Sequence, residues 1–120
     1  MPKCILLVDD HENTRKLIRR FLESLGGFVC GEAVDGLDAI QKAASLTPDL
    51  IVLDFQMPRM NGLEAARVLN QMLPTVPIIL FTMHKDVLRV TDMAKLGIKV
   101  VMSETDGLDL LSTHAQRLLA

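Results

Sequence analysis

The chain has no tryptophan, no tyrosine and only two cysteines among its 120 residues. Cys4 and Cys30 each lie in an apolar, strand-like stretch, which favours free buried thiols over a disulfide or a metal site. No apolar run approaches the roughly 20 residues that cross a bilayer, and the amino terminus does not resemble a signal peptide. We therefore expect a cytoplasmic protein without a membrane span.

Neither sign of charge dominates: 13 basic residues face 15 acidic ones, for a net charge of −2. A nucleic-acid surface requires clustered Lys and Arg. The longest basic cluster, Arg15-Lys16 with Arg19-Arg20, falls within an amphipathic pattern and is expected to be a solvated helix face. The length and the 49% apolar content fit one globular domain over residues 1–120, with no direct contact to nucleic acid.

Short apolar runs rich in Ile and Val predict the strands. Four of them do not alternate with polar residues: Cys4–Val8, Leu50–Leu53, Val76–Phe81 and Ile98–Met102. Such runs suit strands buried on both faces of a parallel sheet. Phe28–Val34 is a weaker fifth strand, and Gly31 and Glu32 within it favour a position at the sheet edge.

Segments with helical spacing separate the strands. The predicted apolar stripes are Leu17, Ile18, Phe21, Leu22 and Leu25; Leu37, Ile40 and Ala44; Leu63, Ala66, Leu69 and Met72; Val87, Val90, Met93 and Ala94; and Leu108, Leu111, Ala115 and Leu118. Strand and helix thus alternate five times with short connections. Right-handed crossovers between parallel strands place helices on both faces, so the pattern predicts an α/β fold, a three-layer α/β/α sandwich.

Polar side chains follow four of the five predicted strands. Asp9 and Asp10 end the first strand, Asp54 the third, Thr82 the fourth, and Glu104 lies near the end of the fifth. Ligands of open parallel sheets bind beyond the carboxyl ends of the strands, so these groups are expected on one rim. Close carboxylates favour a hard divalent cation, Mg²⁺ or Mn²⁺, over Zn²⁺.

Helix capping is the alternative for a single Asp after a strand. It explains Asp9 or Asp10 as well as a metal does, and it is the expected role of Asp35 and Asp86. It explains Asp54 poorly, because residues 56–58 intervene before any helix starts. Acids that end both the first and the third strand together favour the metal site.

The strand-terminal Asp9-Asp10 pair, the segment DFQMPRMNG at residues 54–62 and Thr82 resemble the receiver domain of two-component response regulators. The resemblance runs the length of the chain. Thr82-Met83-His84 and the residues around Leu96-Gly97 are most similar to receivers of the LuxR/NarL subfamily. The resemblance implies a flavodoxin-like, five-stranded parallel sheet of order 2-1-3-4-5, in which the first and third strands are neighbours.

The resemblance also implies a role for each site residue. Asp54 would accept a phosphoryl group from a phosphohistidine of a sensor histidine kinase or a phosphotransfer protein. Asp9, Asp10, Asp54 and the main-chain carbonyl of Gln56 would bind Mg²⁺. The Thr82 hydroxyl would contact the phosphoryl group and move inward when it forms.

The implied protein is a cytoplasmic signal-transduction domain and not an enzyme, with at most self-phosphorylation and self-dephosphorylation. It would relay the signal through the face formed by the fourth helix, fifth strand and fifth helix, which also allows a homodimer. Regulation of transcription would pass through a C-terminal DNA-binding domain outside this chain.

Two residues depart from the receiver pattern. Glu104 occupies the position of the usual Lys, which inverts the charge, and Val101 that of the usual aromatic switch residue. Lys99 is several residues too early to substitute, and Lys85 is the nearer candidate. Alternatively, Glu104 turns outward to solvent, which leaves the pocket without its cation.

These departures support a competing hypothesis, a pseudo-receiver that binds a partner without phosphorylation. A hydrolase with Asp54 as nucleophile is disfavoured, because Gln56 stands where its second acid is expected. The three histidines, His11, His84 and His114, have no metal-ligand spacing and are expected at the surface.

Overall fold

The computed structural model describes residues 1–83 and 89–120. Strand and helix alternate through it as predicted: β1 Lys3–Val8, α1 Glu12–Ser24, β2 Phe28–Ala33, α2 Gly36–Leu46, β3 Leu50–Asp54, α3 Gly62–Met72, β4 Ile78–Thr82, α4 Val90–Lys95, β5 Ile98–Ser103 and α5 Leu108–Leu118. The predictions made for His84, Lys85, Asp86 and Val87 lie outside the described residues. None of the helices described is long and apolar enough to cross a bilayer.

The five strands form one parallel sheet in the order β2-β1-β3-β4-β5, which confirms the expected order and the edge position of β2. Val8 of β1 lies opposite Leu53 of β3. Asp9 and Asp54 therefore follow at the same level on neighbouring strands. The register alone brings these two carboxylates to one edge of the sheet.

Both faces of the sheet are covered, as expected for a three-layer sandwich. Alternate strand residues such as Leu6, Ile51 and Leu80 form one core with helices α2, α3 and α4. Their neighbours, including Ile5 and Val52, form a second core with α1 and α5. Strand side chains point alternately to the two faces, so uninterrupted apolar runs are needed to fill both cores.

The buried helix faces are narrower than the predicted stripes. Six residues expected in the core are exposed: Leu17, Leu25, Leu37, Ala44, Met72 and Ala94. On α2 the buried positions are instead the small residues Gly36, Ala39 and Ala43. Small side chains let α2 lie close to the sheet and to α3. A pattern based on the hydrophobicity of side chains does not identify such small residues as core positions.

Side-chain caps begin helices α2 and α3, the first of them at Asp35 as predicted. The Asp35 carboxylate accepts a hydrogen bond from the Asp38 N–H at 2.8 Å, and Asn61 forms a reciprocal capping box with Glu64. The capping alternative for Asp10 is wrong, because the N-cap of α1 is His11, without a side-chain cap. Asp10 is left available to the site that follows β1.

Candidate functional site

Three carboxylates and an imidazole meet at the carboxyl end of the sheet. One ligand atom from each of Asp9, Asp10, His11 and Asp54 lies within 4.8 Å of all the others. Asp54 is buried, Asp9 is half-buried, and Asp10 and His11 are exposed. The cluster therefore reaches from solvent to the buried end of β3.

Asp54 is the innermost member of this cluster. Its Oδ1 atom is buried and has no hydrogen-bond partner within residues 1–83 and 89–120. Burial raises the pKa of the Asp54 carboxyl to about 7, the charges of Asp9, Glu104 and Asp10 add to this, and a hydrogen bond from the Gln56 main chain opposes it. A buried oxygen among other acids is stabilised by a cation or a proton.

The donor set fits a hard divalent cation. The carboxylates of Asp9, Asp10 and Asp54 supply oxygen ligands close enough together for one ion, and Asp54 also carries an oxygen, Oδ1, without a hydrogen-bond partner among the described residues. Mg²⁺ prefers such oxygen ligands and retains water in its remaining positions. The exposed side of the cluster, at Asp10, leaves room for that water.

His11 lies closer to the cluster than its lack of ligand spacing suggested. Its main-chain N–H donates to Asp9 Oδ1 at 2.8 Å. The Nδ1 atom of its ring lies 3.1 Å from Asp9 Oδ1 and 3.2 Å from Asp10 Oδ1. The hydrogen bond to Asp9 and the charges of Asp10 and Asp9 raise the pKa of His11. The sequence could have indicated this contact, because His11 directly follows Asp9 and Asp10. The turn after β1 brings its ring back to both carboxylates.

Arg15 is buried, contrary to the expectation of a solvated basic face on α1. Its Nη1 donates to the main-chain oxygen of Asp9 at 2.7 Å, and its Nε donates to Glu32 Oε1 at 2.7 Å. The guanidinium therefore connects the loop that carries Asp9 to strand β2. The stripe pattern missed this because a long side chain can extend from the flank of a helix into the interior.

Glu32 compensates the buried charge of Arg15. Arg19 donates to its other carboxylate oxygen at 2.7 Å, and Lys16 lies 3.4 Å away. Burial raises the pKa of Glu32, but the hydrogen bonds from Arg19, Arg15 and Lys16 outweigh it and bring the pKa down to about 2. Three of the four residues in the predicted basic cluster thus bind one acid.

A cavity of about 320 Å³ opens beside Asp54. It lies between α1 and the turn after β5, and acids and apolar residues both line it. The lining includes the acids Asp9, Asp54 and Glu104 and the apolar residues Val52, Phe81 and Leu108. The carboxylates face a largely apolar chamber and not open water alone.

Glu104 contributes to this cavity. It directly follows β5, it lines the cavity with Asp54, and its charge raises the pKa of the Asp54 carboxyl. The residue as a whole remains exposed. Of the two alternatives for Glu104, these observations favour the one in which it faces the pocket and adds negative charge there.

Gly62 fixes the distance between Asp54 and α3. A Cβ atom at this position would lie 2.6 Å from the Asp54 carbonyl oxygen and 2.7 Å from Phe55 Cα. The Gly62 N–H donates to the Phe55 oxygen at 2.7 Å. Helix α3 therefore begins in direct contact with the strand that carries the buried acid.

The family model of the response regulator receiver domain matches residues 5–114. The chain belongs to this family. The match covers eight of the ten elements in full and most of β1 and α5, and it includes every acid of the cluster.

Individual receiver-containing proteins resemble the chain over much of its length. Response regulator UvrY of Escherichia coli K12 is 42% identical over 83 residues, 68% of this chain and 38% of UvrY. A protein-glutamate methylesterase/protein-glutamine glutaminase of Pyrococcus horikoshii is 43% identical over 79 residues, 65% of this chain and 21% of that protein. This receiver thus spans well under half the length of both relatives, and LuxR/NarL-type response regulators are among its homologues.

A solved structure shows the same architecture. The LuxR-family response regulator from Aurantimonas sp. SI85-9A1 superimposes with a TM-score of 0.90 at 28% identity, over 99% of this receiver and 86% of that chain. The flavodoxin-like fold expected from the sequence is therefore confirmed.

The two remaining receiver positions lie on the neighbouring strands β4 and β5. Thr82 ends β4 and is 1% exposed. Val101 lies opposite Leu80 on β4 and packs, partly buried, against the core beneath α2, α3 and α4. A branched aliphatic residue therefore fills the place where receivers usually carry an aromatic side chain.

Proposed function

We propose that this receiver accepts a phosphoryl group on Asp54 in a Mg²⁺-dependent reaction. The observation that carries the proposal is the buried, unpartnered Oδ1 of Asp54, within the described residues, at a point where the carboxylates of Asp9 and Asp10 converge. Family membership adds support, because two-component receivers act with histidine kinases. The donor would be a phosphohistidine of a sensor kinase or a phosphotransfer protein.

The transfer is a displacement at phosphorus. An Asp54 carboxylate oxygen forms the new P–O bond, the P–N bond of the phosphohistidine breaks, and the imidazole nitrogen retains the electron pair. Such reactions depend on positioning and on charge stabilisation more than on proton transfer. Asp9, Asp10, Asp54 and the Gln56 main-chain carbonyl would hold Mg²⁺, which would supply positive charge to stabilise the phosphoryl group during transfer.

The protein's own groups hold this arrangement in place. The Gln56 main-chain N–H donates to the Asp54 carboxylate, and Arg15 fixes the loop of Asp9 through its main-chain oxygen. Thr82, at the end of the adjacent strand, would contact the phosphoryl group through its hydroxyl. The change would pass to the face of α4, β5 and α5, which would also form a homodimer, and to a DNA-binding output domain outside this chain.

Phosphorylation of the purified chain tests the proposal directly. Acetyl phosphate with Mg²⁺ should add one phosphoryl group, measured by intact mass, and Asp54→Asn should abolish the addition. Asp109→Asn is the matched control, because it makes the same exchange at an exposed position of α5. If wild type and Asp54→Asn remain equally unmodified with saturating donor, the proposed chemistry is wrong.

A second function is favoured by Glu104, namely partner binding without phosphorylation. A carboxylate repels an aspartyl phosphate that a Lys would stabilise, and Glu104 lines the cavity of Asp54. This pseudo-receiver predicts equal partner affinity for wild type and Asp54→Asn, with no response to beryllofluoride. A change in that affinity on adding beryllofluoride with Mg²⁺ would exclude it.

A further inference from the structure

The cavity beside Asp54 is deep enough to hold more than a metal ion and its water. Its volume of about 320 Å³ falls at the lower end of the range for small-molecule sites, roughly 300–1,000 Å³. Leu17 lines it and is half exposed, with 51% of its surface accessible. One side of the cavity therefore opens to solvent beside α1.

Negative charge in and around this cavity exceeds what one divalent cation offsets. Asp9, Asp10, Asp54 and Glu104 carry four carboxylates, and Mg²⁺ carries two positive charges. Glu104 lies outside the group whose ligand atoms meet within 4.8 Å. A metal ion bound by the three aspartates would leave Glu104 without a cation of its own.

The cations that line the cavity are already bound elsewhere. Arg15 donates to Glu32 and to the Asp9 main-chain oxygen, and His11 lies against Asp9 and Asp10. No ion pair between the described residues involves Glu104. Among the described residues, therefore, the Asp54 Oδ1 atom has no hydrogen-bond partner and the Glu104 carboxylate has no cation, and both acids line the same cavity.

The walls favour an organic cation over a second hydrated metal ion. Val52, Phe81 and Leu108 provide apolar surface beside the acids. Apolar walls cannot replace the water ligands of a metal ion, whereas an alkyl chain gains free energy as its surface leaves water. An ammonium group attached to a short alkyl chain matches both the charge and the walls.

We propose that the cavity binds a primary alkylammonium group, with its nitrogen between Asp54 and Glu104 and its alkyl chain against Val52, Phe81 and Leu108. The same chemistry is offered by a small free amine and by a Lys side chain that a partner inserts. Binding does not require phosphorylation of Asp54. Amine binding and phosphorylation of Asp54 can therefore each be absent without the other.

Butylammonium is the probe, because it reproduces the end of a Lys side chain. It should produce saturable methyl NMR shifts at Val52 and Leu108 of the full chain in Mg²⁺-free buffer. Sodium chloride at equal ionic strength should leave these signals in place. Neutral 1-butanol should bind about tenfold more weakly or worse, since its hydroxyl carries no positive charge to attract the two carboxylates.

Charge variants at Glu104 provide the decisive comparison. Glu104→Lys supplies an internal ammonium and should abolish butylammonium binding, and Glu104→Gln should weaken it about tenfold. Asp109→Lys makes a comparable charge reversal at an exposed position of α5 and should retain wild-type affinity. Glu104 is itself exposed, so its variants should fold, which a circular dichroism melt checks.

Several results would overturn the inference. One is the absence of saturable butylammonium shifts in wild type. Another is that Glu104→Lys binds butylammonium as well as wild type does, or that Asp109→Lys loses as much affinity as Glu104→Lys. The last is that wild type binds butanol or sodium as tightly as butylammonium. A peptide with one Lys tests whether a partner's side chain can supply the ammonium group. If the peptide competes with butylammonium, a partner's Lys fits the site. If only butylammonium binds, the site is restricted to small amines. Phosphorylation of Asp54 by acetyl phosphate is measured separately and remains informative in each case.

Discussion

At the scale of single residues, burial and the neighbouring acids, Glu104 among them, determine the protonation of Asp54. The Asp54 carboxyl has a pKa of about 7, raised first by burial and then by the charges of Asp9, Glu104 and Asp10. A like charge disfavours ionisation, so its removal lowers the pKa. At neutral pH Asp54 is thus divided between the protonated form and the nucleophilic carboxylate.

We predict that Glu104→Gln lowers the pKa of Asp54 below its wild-type value near 7. The physical reason is the loss of one negative charge from the cavity wall. The measurement is a carboxyl ¹³C NMR titration in Mg²⁺-free buffer. Asp109→Asn is the control, because it removes the same charge at an exposed position of α5 and should leave the pKa of Asp54 unchanged. An unchanged Asp54 titration in Glu104→Gln would show that the two carboxylates do not interact.

We predict that Gly62→Ala destabilises the protein by about 1–3 kcal/mol and slows phosphorylation of Asp54. The new Cβ would lie 2.6 Å from the Asp54 carbonyl oxygen, so strand and helix must separate. Gly36→Ala is the matched control at the first residue of α2, where the added atom meets the flexible Met60 side chain. Urea unfolding should show the larger loss for Gly62→Ala, and equal losses would contradict a backbone clash.

At the scale of elements, helix α3 is positioned by its capping box. Asn61 accepts from the Glu64 N–H at 3.0 Å, and Glu64 accepts from the Asn61 N–H at 3.2 Å. We predict that Asn61→Ala costs about 1 kcal/mol and Asn61→Gly only a few tenths. Both values are measured by urea unfolding, and a reversed order would show that the cap does not stabilise the helix.

Helix α1 and strand β2 are joined through Glu32. Its pKa is about 2 in the folded chain against an ordinary value of 4.5, so ionised Glu32 stabilises the fold above pH 4.5. This contribution, roughly 3 kcal/mol, is lost as the pH falls from about 4.5 towards 2. We predict that the stability gap between wild type and Glu32→Gln is largest at neutral pH and shrinks across that window.

Thermal unfolding at several pH values measures this gap. Glu12→Gln, which removes an exposed acid from the first turn of the same helix, should change stability by less than about 0.5 kcal/mol. A pH-independent difference between wild type and Glu32→Gln would show that the ion pairs do not lower the pKa of Glu32.

The elements were largely predictable from sequence, whereas the helix faces were not. Strands buried on both sides leave uninterrupted apolar runs, and these located β1, β3, β4 and β5 to within about two residues. The predicted burial of two α1 residues was the reverse of the observed one. Arg15 was expected in solvent and is buried, whereas Leu17 was expected in the core and is exposed. Hydropathy does not show that Glu32, on another element, compensates a buried guanidinium.

At the scale of the whole molecule, the acid site lowers the stability of the fold. The pKa of Asp54 is about 7 when folded against an ordinary 3.8, so its ionisation opposes folding increasingly as pH rises above 3.8. We predict that Asp54→Asn stabilises the Mg²⁺-free protein by about 1–3 kcal/mol at neutral pH and that the gain disappears near pH 4. Thermal melts across this range measure it, and a less stable variant at neutral pH would contradict the prediction.

The convergence of Asp9, Asp10 and Asp54 was predictable at this scale, because strand order and register determine which strand ends are neighbours. The cavity and the orientation of Glu104 were not predictable. They depend on how α1 and the turn after β5 pack around the sheet edge, and that packing is determined by all the elements together.

The buried oxygen of Asp54, without a hydrogen-bond partner among the described residues, also makes the chain suitable for ligand discovery. Without tryptophan or tyrosine the protein has little intrinsic fluorescence, so titrations that follow the emission of those residues would fail. Every molecule that neutralises the buried charge should raise the melting temperature, since binding to the folded state alone stabilises it. A dye-based thermal-shift screen of metal ions, amines and phosphodonors would then rank candidates without knowledge of the signalling pathway.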